Sequence, residues 1–222
     1  MVSILKKLLL SGLLMLMVVV STVGQDQTIE SKEAAYARVV TERAAKIVAT
    51  LGLTNSQVAE RVKTEIAQQY LSLNDIQENR KEALAKLTEP VQKEALETET
   101  ATKLTALHKD YLTKLSHDLT TQQVDMVKDG MTYGVLPITY KGYQAMLPDL
   151  TDAQKTQILA YLTEARERAM DEGTSEKKHA MFGKYKGRIN NYLSAAGIDM
   201  KKASKEWEER IAKEKEAGKS KE

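Results

Sequence analysis

Five residues, Leu119-Thr120-Thr121-Gln122-Gln123, have the pattern that begins an α-helix. In a capping box the threonine hydroxyl accepts a hydrogen bond from the amide three residues later, and the glutamine side chain accepts one from the threonine amide. The leucine before the threonine can pack against the fourth helical residue, which is Val124 here. The pattern recurs at Leu53–Gln57 and Leu150–Gln154. Three helix starts of this kind predict an all-α protein.

The rest of the chain agrees with that prediction. Apolar residues recur every three or four positions, and no apolar-polar alternation is long enough for a strand. Gly52 is expected to end the first helix, and Pro90 to begin the third, because proline fits a first helical turn. We expect a single helical bundle of about seven helices, at residues 31–51, 54–76 with a continuation towards 87, 90–115, 121–128, 152–171, 175–196 and 200–215.

The segment Gly130–Pro148 interrupts the helical pattern. It holds three glycines, two prolines and three tyrosines among apolar residues. Turn-forming residues at this density predict a loop, and the apolar residues predict that the loop packs against the bundle. Within it we expect one short helix, from Thr139 to Met146.

The N-terminus has the pattern of a secretory signal peptide. Lys6 and Lys7 precede thirteen uncharged residues, Leu8–Val20, and small residues follow. Cleavage is predicted after Gly24 or Ser21. The apolar run is shorter than the roughly 20 residues that a spanning helix needs, so no stable membrane anchor is expected after cleavage.

The chain is therefore expected to have three parts: a signal peptide at 1–24, an all-helical domain at 25–215 and a charged, disordered tail at 216–222. Export places the mature protein in the periplasm or outside the cell. Loss of the two leader lysines lowers the 33 basic residues to 31, which equals the 31 acidic residues. A chain without net positive charge is not expected to bind nucleic acid.

No pattern of catalytic residues is present. The chain has no cysteine, and His108, His117 and His179 are too scattered to predict a metal site or a catalytic triad. Asp149 and Asp152 flank the unusual loop, but a turn and a helix start account for them. We expect no catalytic residue, metal or cofactor. A polysaccharide-processing enzyme, which would need two carboxylates facing each other across a cleft, is the third choice.

The aromatic residues are concentrated in the second half of the chain, where eight of the eleven follow residue 130. A tyrosine ring offers a flat apolar face and a hydroxyl, which suit the C–H faces and hydroxyl rims of sugars. The alternative is that these tyrosines pack helices together, and Tyr161 and Tyr192 have the spacing of core residues.

Gly183 and Gly187 lie on one face of a predicted helix, where each costs about 1 kcal/mol relative to alanine. We expect another segment to approach them closely, with the loop from Tyr133 to Tyr143 favoured over a ligand. A polar, aromatic pocket is then predicted between this helix and the loop. Its candidate ligand-binding residues are Tyr133, Tyr140, Tyr143, His179, Tyr185, Lys186, Arg188 and Asn190.

Three stretches resemble a known family: RAAKIVATLGLT at 43–54, KDGMTYGVLPITYKGYQAMLPDLT at 128–151 and HAMFGKYKGRINNYLSAAG at 179–197. They are similar to the secreted bacterial domain-of-unknown-function family number 3826. The resemblance implies an all-helical, sugar-binding domain exported by Bacteroidetes-type bacteria and associated with carbohydrate-utilisation systems. It carries over no ligand-binding or catalytic residue, so the candidate residues above depend on physical reasoning alone.

The leading functional expectation is a secreted, non-catalytic accessory protein in polysaccharide utilisation. Its expected partners are carbohydrate or carbohydrate-binding proteins, through which it could associate with the outer membrane. The alternative comes from the repeated capping pattern, which resembles the LTxxQ signature of periplasmic stress chaperones, although helix starts alone also explain it. A chaperone of this type would expose a concave apolar surface.

Overall fold

The computed structural model describes residues 30–219, and this part of the chain is all-helical. Its eight helices are α1 (Lys32–Ala49), α2 (Ser56–Lys86), α3 (Pro90–Asp118), α4 (Thr121–Met131), α5 (Val135–Met146), α6 (Asp152–Met170), α7 (Ser175–Ala195) and α8 (Met200–Lys219). None of these helices has an apolar stretch long enough to span a membrane. The predicted signal peptide lies outside the described residues, and α8 continues four residues into the expected C-terminal tail.

Two of the three predicted capping boxes are confirmed. Thr120 and Thr151 each accept a hydrogen bond from the amide three residues later, at 3.3 and 3.2 Å, and the glutamine at that position accepts from each threonine amide. The prediction at Thr54 is wrong. Asn55 caps α2 with its side-chain oxygen, so this helix begins at Ser56. Asparagine is the stronger N-cap residue, which accounts for the difference.

The segment predicted as a packed loop is largely helical. α5 begins at Val135, four residues before the expected helix at Thr139. Pro137 is the third residue of α5, where its missing amide hydrogen would have no partner within the helix. Proline therefore occurs in α5 without interrupting it, and the short helix expected from Thr139 to Met146 is four residues longer at its start.

The buried apolar residues form two cores. The first lies among α1, α2, α3 and α4 and includes Ile66 and Tyr111, both almost fully buried. The second lies mainly among α5, α6 and α7 and includes Leu162 and Phe182. Met170, at the end of α6, packs into the first core. α6 therefore contributes to both cores and connects them.

Candidate functional site

The candidate residues from the sequence lie around α7, but they do not enclose a single pocket. The structure places them as follows: Tyr143 and Tyr185 are buried, Tyr140 is half-buried, and Tyr133, His179, Lys186, Arg188 and Asn190 are exposed. They form three separate groups of contacts. Only one of these groups exposes an aromatic ring at the surface.

Tyr143 connects α5 to α7. Its hydroxyl donates a hydrogen bond to Asn190 Oδ1 at 2.7 Å and lies 3.3 Å from the carbonyl oxygen of Lys186. Burial raises the pKa of this phenol to about 12. The expected position of the pocket is therefore filled by the Tyr143 side chain, which belongs to the second core. Tyr140 packs against the same core.

Tyr185 and Arg188 connect α7 to α6. The Arg188 guanidinium lies 5.0 Å from the centre of the Tyr185 ring and 5.5 Å from that of Tyr161. It also lies 3.4 Å from a carboxylate oxygen of Glu164. These cation–π contacts lie between packed helices and stabilise them against each other. Tyr161 meets Tyr192 edge-on at 6.2 Å, and both pack against the second core, as their spacing predicts.

The close approach predicted at Gly183 and Gly187 is wrong. A Cβ atom added at either position would meet no atom within 4 Å apart from its chain neighbours and the backbone of its own helix, and both residues are exposed. The buried face of α7 includes Phe182 and lies on another side of the helix. The close approach occurs at Gly130, where a Cβ would lie 2.8 Å from Ile47 Cγ1, and this contact brings α4 against α1.

The third group is a pair of rings at the surface, formed by Tyr133 and His179. Their centroids are 5.3 Å apart and their planes are inclined by 31°. The Tyr133 side chain is 45% exposed. His179 Nδ1 lies 2.8 Å from the carbonyl oxygen of Ser175, which can only accept, so this nitrogen carries the hydrogen. In the neutral ring Nε2 is then an acceptor. We call Tyr133 and His179 the ring pair.

Tyr133 has a backbone φ of 60°, in the left-handed region, and no other non-glycine residue among those described has a positive φ. It lies just after α4, where the Gly134 amide donates to the Asp129 carbonyl at 2.8 Å and the Tyr133 amide donates to that of Gly130 at 3.4 Å. These two bonds form a Schellman motif, in which the Tyr133 position is usually glycine. A side chain there costs about 1–2 kcal/mol. Such strain is concentrated at functional positions.

A buried arginine on α6 holds the end of α4. Arg166 donates to Asp129 Oδ1 at 2.8 Å and to Asp125 Oδ1 at 2.6 Å. Burial would lower the pKa of the guanidinium, but these two carboxylates outweigh it, and the net shift is upward. Asp129 also supplies the carbonyl that closes the turn at Tyr133. Arg166 is thus a positioning residue for the tyrosine of the ring pair.

A buried lysine holds the start of α7. Lys178 Nζ donates to the carbonyl oxygens of Ala169 and Met170, at 3.0 and 2.9 Å, which lie at the end of α6. Helix ends leave such carbonyls without a partner inside the helix. Burial lowers the pKa of Lys178 to about 8, although nearby carboxylates oppose the shift. His179 is the next residue, so α6 positions both members of the ring pair.

Two further tyrosines lie near Tyr133, and no sequence pattern indicates that association. Tyr36 lies on α1 and Tyr70 on α2, and the Tyr36 hydroxyl lies 3.5 Å from the Tyr70 carbonyl oxygen. Burial raises the pKa of Tyr36; Tyr133 adds to this rise and Arg43 opposes it. Tyr70 belongs to the first core and Tyr36 packs against it, so the apolar spacing of each helix accounts for both. Their distance along the chain from Tyr133 hid the association.

Among residues 30–219, no cluster of three or more histidine, aspartate or glutamate side chains is arranged to hold a metal ion. The fold and the ring pair define an all-α protein that presents an aromatic surface close to the helix joining its two cores. Residues 37–213 match the family described as protein of unknown function (DUF3826), and the chain belongs to that family. The match includes all three stretches that carry the resemblance. Comparison with curated proteins gives no match.

Proposed function

We propose that this protein is a non-catalytic carbohydrate-binding protein, and that a sugar ring binds on the ring pair. One observation carries the proposal: the exposed Tyr133 ring is held in a left-handed backbone conformation with its centroid 5.3 Å from that of His179. Internal packing does not require an exposed ring at a position that favours glycine. Contact with an external ligand is a reason for its presence.

The chemistry of the ring pair suits a sugar. The apolar face of the tyrosine can receive the C–H face of a pyranose, while the phenol can donate to or accept from a sugar hydroxyl. His179 Nε2 adds an acceptor, since Nδ1 is used within α7. The anchors at Arg166 and Lys178 fix both rings before binding. Less conformational entropy is then lost when the ligand binds.

The family resemblance supports the same function. It implies association with carbohydrate-utilisation systems, and the expected signal peptide would deliver the protein to the periplasm or the cell exterior. We infer an accessory role in polysaccharide utilisation, with carbohydrate or carbohydrate-binding proteins as partners. Association with the outer membrane would then depend on those partners.

A glycan array tests the proposal, using the chain from Gln25 onward. We expect the unaltered chain to bind at least one glycan on the array and the Tyr133→Gly variant not to bind that glycan. Glycine keeps the backbone conformation and removes the ring. Ile138→Ala is the matched control, since Ile138 is exposed and apolar but has no ring. Binding of the same glycan by the Tyr133→Gly variant, or an equal loss of binding in the Ile138→Ala control, would overturn the proposal.

An LTxxQ-type chaperone is the alternative function, and it has less support. The copies at Thr120 and Thr151 form capping boxes, so their hydrogen bonds already explain these residues. A chaperone would slow the aggregation of an unfolded client when present in several-fold molar excess. Light scattering from a heated client protein measures this directly.

A further inference from the structure

A groove of about 500 Å³ lies between the α2–α3 hairpin and the first turns of α7. The lining residues used below are Arg80, Glu97, Thr100, Leu104, Lys177 and Lys184. A second hollow, of about 540 Å³, shares Arg80 and Lys177 with it and extends along α2. The groove and the ring pair lie on different faces of α7, because Lys177 and Lys184 are nearly in line along the helix and His179 projects from another side.

Thr100 lies in the wall of the groove. The residue is only 6% exposed. Thr98, Thr102 and Thr105, on the same helix, each donate to the carbonyl four residues earlier at 2.9–3.0 Å. The Thr100 hydroxyl makes no hydrogen bond with the described residues. The hydroxyl oxygen is not one of the fully buried side-chain atoms that lack a partner, so it is in contact with the groove and can bond with a ligand hydroxyl that enters there.

A planar ion pair forms another part of the wall. Arg80 Nε and Nη2 donate to the two carboxylate oxygens of Glu97, at 2.7 and 2.6 Å, and these bonds hold the pKa of the carboxyl below its usual range. Both side chains are partly exposed. The second terminal nitrogen of Arg80 and the free lone pairs of Glu97 can bond with neighbouring hydroxyls of a sugar.

Two lysines at the groove are not neutralised by ion pairs. Lys177 and Lys184 are seven residues apart on α7, which places them on one face about 10.5 Å apart along the axis. Neither ammonium has a carboxylate within 4 Å among the described side chains. Glu97 is already paired, and Glu172, the other acid of the groove, acts on Arg80 and on the buried Lys178. The groove therefore has an excess of positive charge over its partly apolar floor, which includes Leu104.

We propose that this groove is a subsite for an acidic saccharide, with one sugar carboxylate at Lys177, another at Lys184, and sugar hydroxyls at Thr100 and the Arg80–Glu97 pair. The inference rests on the proposed carbohydrate function. It adds an anionic ligand class and a second place of contact, apart from the ring pair. A saccharide of two or more rings has the length to follow the groove from one lysine to the other.

Titration calorimetry with trigalacturonate and its fully methyl-esterified form tests the inference, since the two differ in charge and little in shape. At low salt we expect the acid to bind the full mature chain about tenfold more tightly than the ester. Lys184→Gln should remove most of this preference. The matched control is Lys205→Gln, an exposed lysine on α8. Equal affinity for acid and ester, or equal effects of the two variants, would overturn the inference.

Thr100→Val removes the Thr100 hydroxyl from the groove without a change in shape. We expect it to weaken binding of both saccharides about three- to tenfold, and to leave the unfolding midpoint unchanged or higher, since no hydrogen bond with the protein is lost. Thr102→Val is the control, because that hydroxyl is satisfied within α3. Equal affinities for the two valine variants would count against the groove as the binding site.

The two proposals fail in distinguishable ways. Tyr133→Gly reports on the ring pair, whereas Lys184→Gln and Thr100→Val report on the groove. If Tyr133→Gly abolishes glycan binding and the groove variants bind acid and ester normally, the groove inference is overturned and the proposed function stands. If no saccharide binds the unaltered chain, both are overturned.

Discussion

Arg166 and Asp129 connect the buried interior to the protein surface. The guanidinium on α6 lies 2.8 Å from the carboxylate on α4, and the main-chain carbonyl of Asp129 accepts the hydrogen bond that closes the turn at Tyr133. One residue therefore takes part in the ionic contact through its side chain and in the turn through its backbone. The stability of the bundle and the position of the ring pair are coupled at this point.

Arg166→Met should lower the free energy of unfolding by about 3 kcal/mol, because it removes a buried cation and leaves its carboxylate partners without it. Urea unfolding measures the effect. Arg168→Met is the control: that side chain is 59% exposed and, among the described residues, forms an ion pair with Glu164 alone, so its loss should cost at most about 0.5 kcal/mol. Equal stability of the two variants would contradict the role of Arg166.

Tyr133→Gly should raise the free energy of unfolding by about 1 kcal/mol, because it relieves the left-handed conformation at φ 60°. Gly134→Ala should act in the opposite direction by a similar amount, since Gly134 has φ 64°. Thermal unfolding of the two variants provides the comparison. A less stable Tyr133→Gly protein would show that the ring contributes more to packing than its backbone conformation costs.

Gly130→Ala should destabilise the protein by about 2 kcal/mol, because the added methyl group would lie 2.8 Å from Ile47 Cγ1. Gly183→Ala should stabilise it by about 0.5–1 kcal/mol, since the space there is open and alanine is the better helix former. Chemical unfolding of both variants tests the pair. Destabilisation by Gly183→Ala would mean that the helix surface there is not open.

Stability should fall as pH rises from 6.5 to 8. The hydrogen bonds of His108 with Asp171 and Glu167 raise its pKa to about 9, so the folded state retains a proton that the unfolded state loses near pH 6.5. The contribution is complete below pH 6.5 and is lost as pH rises through 9. Between pH 6.5 and 8 we expect the free energy of unfolding to decrease by about 1.5 kcal/mol.

Urea unfolding at pH 6.5 and 8 tests this dependence, with His108→Gln as the comparison. The variant should lack most of the decrease. Measurements stay at or below pH 8, because burial lowers the pKa of Lys178 to about 8. Above pH 8, loss of the Lys178 proton raises stability and so opposes the effect of His108. An equal decrease in the His108→Gln variant would mean that groups other than His108 cause the pH dependence. The pKa of Glu167 is lowered from 4.5 to about 2, so its contribution is constant above pH 6.5 and is lost as pH falls through that lower window.

Local sequence was sufficient for the helical class and for most helix boundaries. The capping boxes at Thr120 and Thr151 are made between residues three positions apart, so they can be read without the fold. Only the first four residues of α5 were missed, because Gly134 and Pro137 are typical of loops. Here they occupy the cap and first turn of a helix, where they are also favourable.

The candidate site depends on tertiary structure. The sequence contained Tyr133 and His179 among its candidates, but it could not separate them from the buried Tyr143 and Tyr185, because exposure depends on which helix faces meet. It also placed Gly183 and Gly187 at a close contact. Those residues face solvent, since the core selected another face of α7.

The sequence by itself determined that this protein is helical, because capping and apolar spacing act within a few residues. Only the tertiary structure decided which rings reach the surface together and which threonine lines the groove. Arg166 on α6 reaches Asp129 on α4, and Lys178 on α7 reaches the end of α6. Such contacts depend on how the helices pack against each other, and side-chain spacing along one helix does not specify that.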